Sequence, residues 1–299
     1  MLRKAHKKMI VLFLLPATLL YLILFIYPAL KAFYVSLFDW SGFSHNMTFI
    51  GLGNFIELFK DQHFWSVVMK NTSIIIFGGG VLIFSISFLL SGVLTTKIRG
   101  KKFYRALLFF PSVINPVAIA ILWSFIYNKQ WGILNGLLRA IGLGQFQQVW
   151  LDQDSLIWAI LVAIVWMYTG FYCVILLAAL DRVPVGLIEA AQLEGASEFK
   201  IFFRIKIPMI WDVLITAIIL WCINAVKEFS LLYAWGGGVD IPPPGSQNLA
   251  TYMYITAFGR RVTIYRMGYS TAMGVVMFLL IVLFVLMISR IAKKDAIEY

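Results

Sequence analysis

The chain has 299 residues, 61% of them hydrophobic and 13% charged, whereas a soluble domain is nearer half apolar and a quarter charged, so no water-soluble interior would hide the excess. Its 25 Lys and Arg exceed its 14 Asp and Glu, for a formal net charge of +11, yet the basic residues are sorted loop by loop rather than gathered in one patch, which argues against nucleic acid as a partner. Cys173 and Cys222 lie in apolar runs and read as reduced packing residues, and His6, His45 and His63 lack ligand spacing, so neither a disulfide nor a metal site is expected.

Arg3, Lys4, Lys7 and Lys8 precede the first apolar stretch, at 9–30. That stretch is too long for a typical signal peptide and no small-residue cleavage site follows it, so it reads as a retained helix. A hydrocarbon core about 30 Å thick asks for roughly 20 apolar residues per helix. Six segments meet that requirement: 9–30, 67–95, 104–127, 156–180, 209–234 and 269–290. The expected fold is all-α, a polytopic membrane protein with six transmembrane helices and both termini on one side. Sixteen Lys and Arg fall at the termini and in the loops near 100 and 190, against eight in the alternate loops; the positive-inside bias puts the termini in the cytoplasm.

Tyr34, Phe38 and Trp40, then Trp123 and Tyr127, then Trp150 and Trp158 gather where membrane interfaces should be. The outer loops 31–66 and 128–155 carry short apolar pieces at 55–59 and 133–138, expected to lie flat on the outer surface. In the second segment Gly78, Gly79 and Gly80, with Ser85, Ser87 and Ser91, would let helices approach closely. In the third, Pro111 and Pro116 flank Asn115 and weaken the helical ladder, either freeing groups towards a cavity or only permitting a packing kink. Trp166, Tyr168 and Tyr172 place flat aromatic faces on the fourth segment. Asn224, Lys227 and Glu228 in the fifth are spaced to share one helix face, and ionisable groups in hydrocarbon usually face a bundle interior. Asn115, Trp166, Tyr168, Tyr172, Asn224, Lys227 and Glu228 are therefore the substrate-path candidates, with Lys227 near enough to the outer surface to snorkel instead. Beyond them, glycines at 236–238 and prolines at 242–244 break any helix, and a short helix is expected over 247–258.

The loop at 181–208 is the most informative. Leu187, Ala190, Ala191 and Leu193 fall on apolar stripes at helical spacing while Glu189, Gln192 and Glu194 face outward. Gly195 interrupts the pattern, Ser197 is placed to cap a second short helix, and Pro208 marks the hand-over to the fifth segment. The expected result is a helix–turn–helix at the membrane surface, either a bare connector or a knob made for a partner's groove.

Glu189-Ala190-Ala191, then Gly195-Ala196, then Phe202, Ile205 and Pro208 resemble the E-A-A signature of permease subunits in ATP-binding-cassette importers, with Glu194 standing for the usual Asp. The segments 15–40, 51–59 and 105–128, Trp131-Gly132-Ile133-Leu134-Asn135 with Trp150-Leu151, and Thr251-Tyr252-Met253-Tyr254 look like the maltose-type sugar permeases of the larger-partner class. Where that class ends its triple-glycine turn with proline, this chain has Val239. The resemblance implies a type I permease fold in a bacterial or archaeal cell membrane. It also implies a second homologous permease, two cytoplasmic ATP-binding subunits that use ATP and Mg, and an extracytoplasmic solute-binding protein.

By the same likeness Glu189, Ala190, Ala191, Glu194, Gly195, Ala196 and Pro208 couple the chain to the ATPase. Residues 1–66 hold the extra first helix and an outer segment, 67–290 the permease core with the loop 181–208, and 291–299 a cytoplasmic tail. The implied solute is a sugar, an oligosaccharide or glycoside, with a glycerol phosphate derivative as the other class. No catalysis and no bound cofactor are expected. The only Gly-Lys pair, Gly100-Lys101, is followed by Lys102 rather than Ser or Thr and lacks the earlier glycine of a phosphate-binding loop. The competing readings are an ion-driven secondary transporter and a purely structural membrane subunit.

Overall fold

The structure, a computed structural model, describes residues 2–96, 98–236, 243–259 and 265–292, with side chains from Met9 onward. Among them the fold is all-α apart from one two-residue antiparallel pairing of Phe38–Asp39 with Thr48–Phe49. Five helices are long and apolar enough to cross a bilayer: Met9–Val35, Phe64–Leu94, Leu156–Leu180, Trp211–Trp235 and Met267–Ala292. The remaining expected crossing, the third in chain order at 104–127, is a bent pair, Lys101–Val113 and Pro116–Ile126, meeting at 99°. Six crossings result only if that pair is one span.

The bend has a local cause. Pro116 forces the residue before it out of the helical region, and Asn115 accordingly sits at ψ 129 with Ile114 also extended. The Asn115 carboxamide oxygen then accepts from the Val117 amide at 2.8 Å and restarts the helix as its N-cap.

The described residues pack as two units, one within Met1–Gln62 and Met253–Phe278, the other within His63–Tyr252 and Leu279–Tyr299. In the first, the helix Gly53–Lys60 is pinned by Asn54, whose buried amide donates to the Ser36 and Phe38 carbonyls at 2.9 and 2.8 Å. Gly268 lies so close that a Cβ there would stand 2.0 Å from the Phe38 carbonyl oxygen. Arg266 grips Glu57 through two nitrogens at 2.7 and 2.5 Å, and that hydrogen bonding holds the Glu57 carboxyl below its ordinary value.

In the second unit, the helix Leu156–Leu180 is buried on several faces and forms the centre, as expected of a helix apolar all round. The helix Phe64–Leu94 packs along it, with the buried Ser87 hydroxyl donating to the Thr169 carbonyl at 2.9 Å. The glycines expected to permit close approach do so at Gly79 and Gly80, where a Cβ would meet the Trp221 ring at 2.8 Å. Trp221 is fully buried and donates its indole N–H to the Ile76 carbonyl at 2.8 Å, where the helix widens into a π turn over Ile74–Gly79.

The apolar piece near 133 forms the helix Ile133–Ala140. Buried Asn135 organises it, donating to the Lys129 and Gln148 carbonyls at 3.2 and 3.1 Å and accepting from the Trp150 indole at 2.8 Å. The expected helix over 247–258 is present as Leu249–Phe258. Its approach is tied to Asn71, which donates to the Pro244 and Gln247 carbonyls at 2.9 and 2.8 Å. The helix break expected at 236–238 and 242–244 falls mainly outside the described residues, as do Lys97, Arg260, Arg261 and the tail from 293.

Candidate functional site

The 181–208 loop folds as two helices about a tight turn. Val185–Leu193 starts after Pro184, whose ψ of 126 stands outside the helix. At its other end Gly195 adopts φ +76, a left-handed conformation that glycine takes without steric cost. The Gly195 amide donates to the Gln192 carbonyl at 3.0 Å and the Ala196 amide to the Ala191 carbonyl at 2.9 Å, the paired bonds of a Schellman cap. Ser197 then caps the helix Glu198–Ile201, its hydroxyl oxygen accepting from the Lys200 amide at 3.4 Å. A Gln192–Glu198 side-chain bond of 3.2 Å joins the two arms. Pro208 lies in the short helix Ile207–Met209 that leads into Trp211.

The roots of this hairpin are buried at Val183 and Ile201, while no residue of 184–200 is buried. Leu193 is 90% exposed and Phe199 71%, and Val185, Leu187 and Phe203 are exposed as well. The apolar stripe read from the spacing therefore faces outward rather than onto the chain. Glu189 and Glu194 are exposed among these side chains, Ala190 beside them, and Ala191 and Ala196 are half-buried. Exposed apolar side chains interspersed with charge are the kind of surface a partner covers. Beside it, an apolar cavity of about 730 Å³ runs between Phe88, Gly92 and Thr96 of the second span and Phe199, Phe202 and Lys206 of the loop.

At the base of the loop, Asp181 accepts from the Lys101 ammonium at 3.0 Å and from Arg105. Burial alone would raise its pKa, but the hydrogen bonds and charges of Lys101 and Arg105 outweigh that and hold the carboxyl below its ordinary value. The ion cluster is thus formed at neutral pH and is lost only as pH falls through that lowered value.

The substrate-path candidates separate. Tyr168 donates to the Glu228 carboxylate at 2.9 Å. Tyr172 is fully buried against Phe84 and Trp221, with ring centroids 5.1 and 6.1 Å away and half-buried Asn224 beside it. Trp166 packs edge-on against Trp123 at 5.9 Å. Asn115 is exposed and commits its carboxamide oxygen to the cap.

The expectation that Asn224, Lys227 and Glu228 share a face is corrected. The span Trp211–Trp235 is interrupted: its helix Trp211–Val226 ends one residue before Lys227 and a second begins at Ser230, so the face arithmetic stops there. Lys227 turns out to the surface and Glu228 turns in, where its second oxygen accepts from the Leu231 amide at 3.4 Å. Asn248, which sequence reasoning passed over, donates to the Glu228 backbone carbonyl at 2.5 Å; its neighbour in the Thr251–Tyr254 block was the available signal. Among the described residues no group of His, Cys, Asp and Glu is placed to hold a metal ion.

Residues 88–295 match the family described as binding-protein-dependent transport system inner membrane component. A probable ABC transporter permease of Bacillus subtilis, YurN, is 34% identical, with 96% of this chain and 97% of that one covered. A diacetylchitobiose uptake system permease of Streptomyces coelicolor, NgcF, is 31% identical over 86% of this chain and 74% of that one. In fold, the chain is similar to a solved chain of a bacterial ABC transporter involved in import of the acidic polysaccharide alginate, at a TM-score of 0.76 and 20% identity, with 99% of each chain covered.

Proposed function

The chain belongs to the binding-protein-dependent transport system inner membrane component family and is a permease subunit of an ATP-binding-cassette importer, and we propose that it carries a sugar, an oligosaccharide or glycoside, by alternating access driven through the 181–208 loop. The observation that carries this reading is the Gly195-turned hairpin, rooted at Val183 and Ile201 and presenting Leu193 and Phe199 exposed among the described residues. Such a projection is a knob for a groove in another subunit. In this reading the groove belongs to a cytoplasmic ATPase, and Glu189, Ala190, Ala191, Glu194, Gly195 and Ala196 form the coupling helix seated in it, with Pro208 holding the exit to the fifth span.

The chain carries no phosphate-binding loop of its own, so ATP and Mg act on a partner, and force enters as displacement of a rigid projection. The loop joins the Leu156–Leu180 and Trp211–Trp235 helices directly. Closure of the ATPase pair pushes it and tilts both spans, opening the path on the opposite face. The same reading assigns a second homologous permease, two ATP-binding subunits, an extracytoplasmic binding protein, both termini in the cytoplasm, and 67–290 as the core. The oligosaccharide class is supported by what is named for NgcF and for the alginate transporter, and by the rings of Trp166 and Tyr168, whose faces suit sugar rings, whereas Tyr172 is buried and packs the interior.

Co-reconstitution of the chain with its second permease, ATPase and binding protein in sealed vesicles tests this. Labelled oligosaccharide should accumulate only with ATP on the side of the 181–208 loop. Uptake driven by an ion gradient without ATP, or no uptake from a complex that hydrolyses ATP on receptor binding, contradicts it.

A further inference from the structure

Three contacts fasten the helix Lys101–Phe109 to the fourth span. Lys101 and Arg105 both bind Asp181, the residue that closes the Leu156–Leu180 helix and opens the 181–208 loop. Leu108 packs on the buried cluster of Leu94, Cys173 and Leu177. The Leu108 carbonyl lies against Gly170 so closely that a Cβ there would stand 1.7 Å from its oxygen. Immediately beyond, the backbone is extended at Ile114 and Asn115, and the pair of helices turns through 99°.

A single surface ion pair is worth little, because water screens it and two long side chains must be ordered. Here one carboxylate holds two cations, and a packed leucine and a backbone contact already fix the helix that carries them. The entropy of ordering is thereby shared among contacts that exist in any case. The extended Ile114-Asn115 link, by contrast, is held only at its edges, where the Ile114 amide donates to the Pro111 carbonyl at 3.3 Å and the Asn115 carbonyl accepts from the Ile119 amide at 3.1 Å, and it is where the segment bends.

We infer that Asp181 is a positioning residue for transport: it clamps the helix Lys101–Phe109 to the root of the 181–208 loop, so that displacement of the loop also swings that helix about the Ile114-Asn115 link and moves Pro116–Ile126. The half-span Pro116–Ile126 carries Trp123, which packs on Trp166 of the fourth span, so the motion of that half-span meets a substrate-path candidate. This inference rests on the coupling role proposed for the loop.

The assembled, reconstituted importer tests it with Asp181→Asn, Asp181→Glu, the pair Lys101→Gln with Arg105→Gln, all three together, and Gly195→Trp in parallel. Asp181→Asn should lower solute imported per ATP hydrolysed by about tenfold while receptor-stimulated hydrolysis stays within about twofold, and Asp181→Glu should restore import. The Lys101 and Arg105 pair should match Asp181→Asn, and the triple variant should be no worse, because each breaks the same clamp. Full import efficiency in Asp181→Asn, or losses that multiply in the triple variant, overturns the inference. If Gly195→Trp uncouples and Asp181→Asn does not, the clamp alone fails; if neither uncouples, the loop reading fails and takes the clamp with it.

Discussion

Gly170→Val should nearly abolish recovery of folded chain from the membrane, and Gly170→Ala should lower its thermal stability in detergent. Gly170 is buried in the central helix, and a Cβ built on it meets the Leu108 carbonyl oxygen at 1.7 Å, the carbonyl carbon at 2.4 Å and the Phe109 nitrogen at 3.0 Å. All three neighbours are backbone, so no side chain has a rotamer to yield. Either the helix Lys101–Phe109 moves off the fourth span, or the fourth span shifts and takes Cys173 and Leu177 away from Leu94. Overpacking of a well-filled site costs about 1–3 kcal/mol, and the shift would also pull Leu108 from its contacts. Gly136→Ala is the control, because nothing lies within 4 Å of a Cβ there. It replaces a glycine inside the helix Ile133–Ala140 and should leave recovery unchanged or improve it. Yields are read by fluorescence-detected size exclusion; equal profiles for Gly170→Val and the native chain would show the contact is not needed.

Gly195→Trp should have the opposite signature, a complex that assembles but no longer couples. A Cβ on Gly195 meets nothing within 4 Å, so the hairpin has room for a large side chain. Its φ of +76 costs an ordinary L-residue roughly 1–2 kcal/mol, a local strain borne by the turn and not by the buried spans. A bulky group also projects where the partner must fit. Import should fall by at least about tenfold, with solute-stimulated ATP hydrolysis lost, while the chain is recovered at native levels. Gly195→Asn separates the two causes, since asparagine tolerates the left-handed conformation and is small. It should retain most of the import that tryptophan abolishes; retention of full coupled activity by Gly195→Trp would remove the turn from the mechanism.

The parts of the molecule that local physics determines were legible in the chain. Five long apolar segments became helices of membrane length, and the Gly195 turn and the Ser197 cap formed where those residues stood, because each depends on a few neighbouring bonds. The third crossing shows the limit. Pro111 and Pro116 announced a weakness and the break at Ile114-Asn115 is local, but the docking of the helix Lys101–Phe109 across the fourth span was hidden, being a contact between residues some 60 positions apart. Glu228 shows another. Its spacing from Asn224 implied a shared face only if the helix continued, and the helix ended at Val226. The buried amides of Asn54, Asn71, Asn135 and Asn248 were likewise invisible as anchors, since their acceptors are backbone carbonyls set by loop geometry. Exposure of Leu193 and Phe199 was the least legible feature, because helical spacing records that a face is apolar and not what covers it.

The coupling role itself is open to direct contact. Cys173 and Cys222 are buried in the native chain, so single cysteines placed at 190–196 will dominate labelling in the assembled importer. They are expected to crosslink to the ATP-binding subunit at short span, and more strongly in one nucleotide state than in the other. An import-competent complex in which none of these positions reaches an ATPase would contradict the account at its root.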